Sequence, residues 1–505
     1  VAKQDALAAK EKLATERLEV NRKLVTAFAA EVPALADYHP LGDEMKADMT
    51  ELVIRLLNEA RGQGDVGTLT ERGLLILATR QGDMARIEKK LDLANRHYQE
   101  ALRIAEEVVK TEAEEKDKAQ SNLSFAYIKM GELATDQKRY FEAIDWYKKA
   151  LVIRQRLVDA PETGEIDPID SKLDLGRMHK IMAEAYFVAK EYKYARDEAE
   201  SSKLIFEENT WRLTDAHRRE MAERDQALVL ITYGNLLFRD NQLQYGRTAY
   251  DQALKIFRNQ QRANPTSLAA RYNLDKVYSE YGDWCIMKLN EPKKALEYYQ
   301  SAQQQSRALC DSHEVVNVMQ MGLALGYYRL GMAAEKVGKT AEAQTYYKRC
   351  LSLREVRERE VEAEARGEKT RGVFDAGIDR MLVQARLGQE AEVLAFCDSL
   401  LKQAAEAGKS KTDTPERKKD KLETQAHYEI FAAVGLAVLV GEMSPLDLRR
   451  AVLTAKAIAC VRQAVAHDFE NLWFLENDPD FDAIRSAPAY QAVIDELRTR
   501  LKSWF

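Results

Sequence analysis

The chain has 505 residues, more than one hydrophobic core serves, so it holds several domains or one repeat array. Hydrophobic residues make up 46% and charged residues 31%, with 10 prolines and 23 glycines, a balance that suits helices and disfavours an all-β fold. Lys plus Arg (76) against Asp plus Glu (82) leaves a formal charge of -6, spread along the chain, which excludes the basic face of a dedicated nucleic-acid binder.

Residues 1–70 read as an N-terminal helical linker. Leu13, Leu18, Val20, Leu24 and Phe28 form a narrow apolar stripe among good helix formers. Pro33 and His39-Pro40 interrupt it. A second helix is expected over 43–60, with Met49, Leu52, Val53, Leu56 and Leu57 on one face. Gly62, Gly64 and Gly67 then match a dinucleotide-binding glycine pattern in spacing only. That motif needs a strand before it, and here a helix precedes it, so a loop between helices is expected and no cofactor.

Residues 71–404 repeat. A small or apolar marker recurs at Gly82, Gly131, Ala183, Gly234, Gly282, Gly331 and Met381, in steps of 49, 52, 51, 48, 49 and 50 residues. A second residue follows at Ala94, Ala143, Ala195, Gly246, Ala295, Ala343 and Val393. Four on come Tyr98, Tyr147, Ala199, Tyr250, Tyr299, Tyr347 and Cys397, and three further Ala101, Ala150, Ser202, Ala253, Ala302, Cys350 and Leu400. Such regularity predicts stacked helix pairs, since each hairpin exposes an apolar face that only its neighbour can bury.

These residues resemble the tetratricopeptide repeat (TPR), most clearly in AYIKMGELATDQKRYFEAIDWYKKAL and GYYRLGMAAEKVGKTAEAQTYYKRCL. The resemblance implies an all-α, TPR-like α-solenoid, a right-handed superhelix of helix pairs. The long period implies longer helices and links than the family's usual repeat. It also implies a groove lined by the first helix of each pair. The positions that would face it include Phe125, Ile128, Lys180, Glu184, Phe187, Ile231, Asn235, Phe238, Arg239, Tyr328 and Met332. Mixed aromatic and polar groups suit a peptide or helix in a groove. The alternative, that Phe125, Phe187 and Phe238 only pack against neighbouring helices, stays open. The Lys/Asn set that clamps carboxylates in some family members is incomplete, because Glu184 stands where Asn is needed.

Residues 405–420, with SKTDTPERKKDK, read as a polar mobile loop without the interleaved aromatics of a nucleic-acid site. Residues 421–505 read as a last helical repeat and a C-terminal cap. Ser444-Pro445 is expected to start a helix. Asp478-Pro479 and Ala487-Pro488 are expected to start short helices, with Trp473, Phe474, Phe481 and Tyr490 covering the end of the stack. Residues 464–467, 478–482 and 484–490 resemble the C-terminal repeat region of planctomycete-type bacterial serine/threonine protein kinases. That likeness implies a docking or sensor region placed after a kinase domain and a membrane helix.

No enzyme signature occurs: there is no P-loop, no HExxH, no GxSxG and no kinase motif. The seven histidines are dispersed, and none stands four residues from another, so no metal pair is expected on a helix. The five cysteines are far apart and read as buried helix positions. No run of about 18 apolar residues is present, so no membrane span is expected within this chain. The expected function is a non-catalytic protein-interaction scaffold or adaptor for protein or peptide partners. The alternatives are a regulatory subunit of an enzyme such as a protease, or a peptide-binding co-chaperone. Cytoplasmic placement is favoured over an extracytoplasmic one.

Overall fold

A computed structural model describes residue 51 and residues 71–112, 115–310, 316–364, 380–409 and 415–502. The N-terminal linker and the glycine pattern at 62–67 lie outside the described residues, apart from residue 51. No strand occurs among the described residues, and the fold is the all-α, TPR-like solenoid of helical hairpins. Two compact units divide the chain, residues 1–277 and 278–505.

In the first unit α1 (Glu71–Ile87) pairs with α2 (Leu91–Thr111), and α3 (Lys116–Asp136) with α4 (Tyr140–Asp159). Likewise α5 (Pro168–Val188) pairs with α6 (Tyr192–Asn209), and α7 (Ala216–Arg239) with α8 (Leu243–Ala263). Consecutive hairpins stack through α2 on α3, α4 on α5 and α6 on α7. The division between the units falls within α9 (Leu268–Met287). The second unit continues with α10 (Pro292–Cys310), α11 (Val316–Lys336), α12 (Thr340–Glu364), α13 (380–386) and α14 (Glu390–Lys409). It ends with α15 (Pro415–Glu442), α16 (Arg449–Ala466), α17 (Leu472–Asn477), α18 (Asp482–Arg485) and α19 (Pro488–Lys502).

The repeat register is a packing register. Ala94, Ala143, Ala195, Ala295 and Ala343 are at most 1% exposed, so each second helix approaches its neighbours through a residue without bulk. Each tyrosine of the third set lies on the glycine of its own first helix. A Cβ on Gly82, Gly131, Gly282 or Gly331 would overlap the ring of Tyr98, Tyr147, Tyr299 or Tyr347. One buried aromatic side chain removes about 150–250 Å² from water, roughly 4 kcal/mol or more before the entropy of ordering it. Glycine is therefore what lets the hairpin close on a ring of that size.

Local signals set the helix ends. Asp167 caps α5 by accepting from Ile169 N at 2.8 Å with Pro168 at the first turn, and Asp215 caps α7 by accepting from Arg218 N at 2.8 Å. Within the repeat register the turns between first and second helix close through a residue of positive φ: Lys89, Lys138, Lys190, Asn241, Asn290, Gly338 and Gly388.

Three expectations change here. The polar stretch 405–420 is largely helical, because α14 runs to Lys409 and α15 begins at Pro415; residues 410–414 lie outside the described residues. Ser444-Pro445 opens a turn instead of a helix, with Asp447 N donating to Ser444 O at 3.0 Å, and α16 waits until Arg449. Lys421–Glu442 is long and apolar enough to cross a membrane by length and hydropathy, yet most of it is buried in the fold, with Ala432, Ala433, Leu436, Ala437 and Val440 at 0% exposure.

Candidate functional site

The first helices carry a polar ladder set by the register. The residue after each marker is Asp83, Glu132, Glu184, Asn235, Asp283 or Met332. In three hairpins the buried tyrosine donates to it: Tyr98 Oη to Asp83 at 2.7 Å, Tyr299 Oη to Asp283 at 2.7 Å, and Tyr250 Oη to Asn235. In two of these the next first helix adds a cation two residues before its own marker. Lys129 Nζ stands 3.2 Å from Asp83, and Arg329 reaches Asp283 at 2.6 Å. Burial alone would raise Asp83, but Lys129, Arg80 and the Tyr98 hydroxyl hold it below the usual carboxylate range. Burial beside that carboxylate pushes the Tyr98 phenol well up. Arg86 extends the ladder to Asp136 at 2.5 Å and to Glu132.

Against this frame the expected groove residues divide. Phe125 is 38% exposed, with Lys129 Nζ 5.3 Å from its ring centre. Lys180 and Glu184 pair along α5 at 3.3 Å, and Glu184 is exposed. Phe187 and Arg239 come together: the Arg239 guanidinium lies 5.7 Å from the Phe187 ring and 4.0 Å from Tyr192, whose ring meets Phe187 edge-on. Burial lowers the Arg239 pKa. Asn235 is half-buried as the acceptor of Tyr250.

Ile128, Ile231 and Phe238 are core residues at 9%, 3% and 0% exposure, and present no face to a partner. Phe238 is buried because α8 carries Gly246 where other hairpins carry alanine. A Cβ there would stand 2.7 Å from the Phe238 ring. Tyr328 is also removed from the surface, by a different cause, described next, and Met332 lines a cleft beside it.

In the second unit the chain's own C-terminal segment crosses the first helices. Trp473 on α17 meets Trp284 on α9 at 5.6 Å. Asp480, in a single 3-10 turn over Pro479–Phe481, accepts from Tyr328 Oη on α11 at 3.1 Å and pairs with Arg386 on α13 at 2.6 Å. Asp482 pairs with Lys336 on α11 at 2.8 Å. Phe481, Leu475 and Ile484 enter the core beneath, at 0–1% exposure. The aromatic cap of the sequence reading therefore lies along the first helices as well as on α15 and α19.

Carboxylates crowd this contact. Arg386 also faces Glu335 at 3.4 Å and Glu442 at 3.3 Å. Burial raises both glutamates, and burial next to Asp480 pushes Asp478 up to about 7. Burial opposes the charge of Arg386, but Tyr328 and Asp480 hold its proton firmly. A cleft of about 130 Å³ remains, lined in part by Met332, Glu335, Lys336, Arg386, Glu442 and Asp480. The sequence reading missed Arg386 and Asp480. One signal was present, since Arg239, Lys336 and Arg386 all stand five residues after a marker.

The family profile described as tetratricopeptide repeat matches residues 324–356, a span that holds Gly331, Ala343, Tyr347 and Cys350 of the register. No curated protein matches the sequence. Among solved structures, the chain is similar to the apo form of the quorum sensor NprR from B. thuringiensis (13% identity, 87% of this chain and 98% of that chain, TM-score 0.46). It is also similar to aspartyl phosphate phosphatase F from Bacillus subtilis (13% identity, 88% and 93%, TM-score 0.44). A third is BtubC from P. vanneervenii (16% identity, 56% and 94%, TM-score 0.41).

Proposed function

We propose that the chain is a non-catalytic interaction scaffold, and that it takes a peptide or short helix of a partner along α3, α5 and α7 of the first unit. One observation carries the reading. In the second unit the first helices already hold an acidic and aromatic segment of short helical turns, residues 472–485, through Trp284, Tyr328, Lys336 and Arg386. That segment supports the view that this kind of face accepts such a ligand. It also removes the second unit from competition, because Phe481, Leu475 and Ile484 anchor the segment in the core. In the first unit Phe125, Glu184 and Val188 remain exposed on α3 and α5, with the Phe187–Arg239 stack beside them.

The test is site-specific photocrosslinking in native lysate. A benzophenone side chain at position 125 or 188 is expected to give discrete adducts, whereas one at Lys148, on the exposed side of α4, gives none. Adducts confined to position 148 would place the partner on the opposite face and end this reading. The narrower reading, the docking region of a bacterial signalling kinase, rests on the residue pattern at 464–467, 478–482 and 484–490. It is tested by whether codons upstream of Val1 encode a kinase domain and a membrane helix.

A further inference from the structure

The helix α16 carries a side that the fold leaves bare. From its cap residue onward, Leu448, Ala451, Val452, Ala455 and Ala459 recur at helical spacing, all exposed and none charged. Leu446, in the turn before them, extends the run. Leu446 and Leu448 are 90% and 91% exposed and Val452 67%; among the described residues of the second unit only Leu325 joins them as a large apolar side chain in solvent. The other second helices of this unit turn charge outward instead: Lys294 and Arg307 on α10, Glu342 and Lys348 on α12, Glu392 and Lys402 on α14. An apolar stripe on one side of a helix normally lies against something.

A rigid turn holds the leucines out. Leu446 N donates to Ser444 Oγ at 3.3 Å and Asp447 N to Ser444 O at 3.0 Å. Arg449 N donates to Asp447 Oδ1 at 2.9 Å, and Arg450 Nη1 to Met443 O at 2.7 Å. A surface fixed beforehand loses little entropy when it is covered.

The charges at the two ends of the run say what covers it. At the start of α16 one cation faces two carboxylates, since Arg449 meets both Asp447 and Glu390 at 2.7 Å. At the other end stands exposed Arg462, with no carboxylate partner among the described residues. Asp447 and Arg462 lie about two helical turns either side of Ala455. Two copies of α16 crossing antiparallel at Ala455 therefore bring Arg462 of each to the Asp447 turn of the other. A parallel crossing would set like ends together. Ala451, Ala455 and Ala459 leave room for the helices to approach closely. An anionic lipid surface fits less well, because Asp447, Glu390 and Asp398 border the run and Lys456 already pairs with Asp398 at 2.8 Å.

We propose that this side of α16, with Leu446 and Leu448, joins two copies of the chain antiparallel about Ala455. The contact is isologous, so it closes at two. It lies apart from the groove proposed above and gives one particle two such grooves, which favours a partner carrying two segments.

The test is sedimentation of the full chain over a wide concentration range. The parent is expected to rise from one chain mass to two and to stop there. Leu446→Ser, Leu448→Ser and Val452→Ser together should raise the dissociation constant roughly tenfold or more. The melting curve at low concentration should stay unchanged, because these side chains are mostly in solvent in the single chain. Arg462→Glu should weaken pairing more at low salt than at high. Under mild oxidation Ala455→Cys should crosslink to its own copy faster than Phe141→Cys of the first unit, with the parent, whose Cys310 is partly exposed, as the baseline. A parent that stays at one chain mass at every concentration overturns the proposal, even if it binds vesicles or another protein through these leucines. So does a triple variant that pairs like the parent. Pairing untouched by Arg462→Glu, or equal crosslinking at 455 and 141, overturns the antiparallel contact.

Discussion

The two units share one repeat and use it differently. In the first, the first helices keep Phe125 and Glu184 in solvent, and the turns carry lysines beside exposed aromatics. In the second, the first helices are covered by residues 472–485, and the turns carry Asn or Gly. Yet one interior arrangement recurs in both: tyrosine on glycine, small residue at the second-helix approach, hydroxyl to carboxylate, carboxylate to the next cation. Tyr98–Asp83–Lys129 and Tyr299–Asp283–Arg329 are the same arrangement in different units. The register dictates what packing requires and leaves the first-helix face and the turns free to diverge.

The largest expected effect breaks the cover of the second unit. Arg386→Ala leaves Asp480, Glu335 and Glu442 facing one another without their shared cation. Removing one partner of a buried pair typically costs about 3–5 kcal/mol. Urea unfolding of the variant should show that loss, and hydrogen exchange should rise first over 472–485. Exchange that rises equally in α1–α4 would mean that the contact is not local to the second unit.

Next comes the shared interior, which should respond alike in both units. Gly131→Ala and Gly331→Ala each drive a methyl into a tyrosine ring, and overpacking of this kind costs about 1–3 kcal/mol. A thermal melt of each variant checks it. Two unchanged melting curves would mean that the register does not control packing.

How much of this was legible in the sequence follows from the range of the cause. The register was legible because Gly, Ala and Tyr are forced on each hairpin by contacts within it. Phe187 and Phe238 occupy one repeat position, but only Phe238 is wholly buried, because Gly246 opens space for it. That glycine is visible in the sequence, but small size alone does not say which ring it admits. Tyr328 has the repeat position of a groove residue, and its cover comes from Asp480, 152 residues away in sequence, which no local pattern encodes. The C-terminal aromatics are expected over the end of the stack; that Trp473 meets Trp284 on a first helix is a contact no local pattern encodes.

The units should also differ in pH response. Asp83 of the first unit has a lowered pKa, so its contribution is present above the ordinary aspartate range and is lost as pH falls through the lowered value. Asp478, Glu335 and Glu442 of the second unit have raised values. There the folded state binds protons more tightly than the unfolded chain. Their contribution is full below the ordinary carboxylate range and is lost as pH rises through about 7, the value of Asp478. Hydrogen exchange across that window should show residues 472–485 loosening as pH rises, after correction for intrinsic rates, while α1–α4 stay protected. Parallel behaviour in both units would remove this distinction.

The smallest expected effect is a reciprocal exchange at the turns. Lys138 and Gly338 occupy one position, with φ of 59° and 80° and matching closing bonds, Lys138 N to Thr135 O and Gly338 N to Glu335 O, both at 2.9 Å. A side chain in this left-handed region costs about 1 kcal/mol relative to glycine. Gly338→Lys should therefore destabilise by about 1 kcal/mol, because the Cβ is forced into a conformation that glycine adopts freely. Lys138→Gly should stabilise by up to about 1 kcal/mol, less whatever the freer unfolded chain takes back. Chemical denaturation of both variants measures the pair, and the opposite signs make it robust to errors in either one. If Lys138→Gly instead destabilises, the lysine side chain holds the turn. The difference between the units at these turns would then be one of folding.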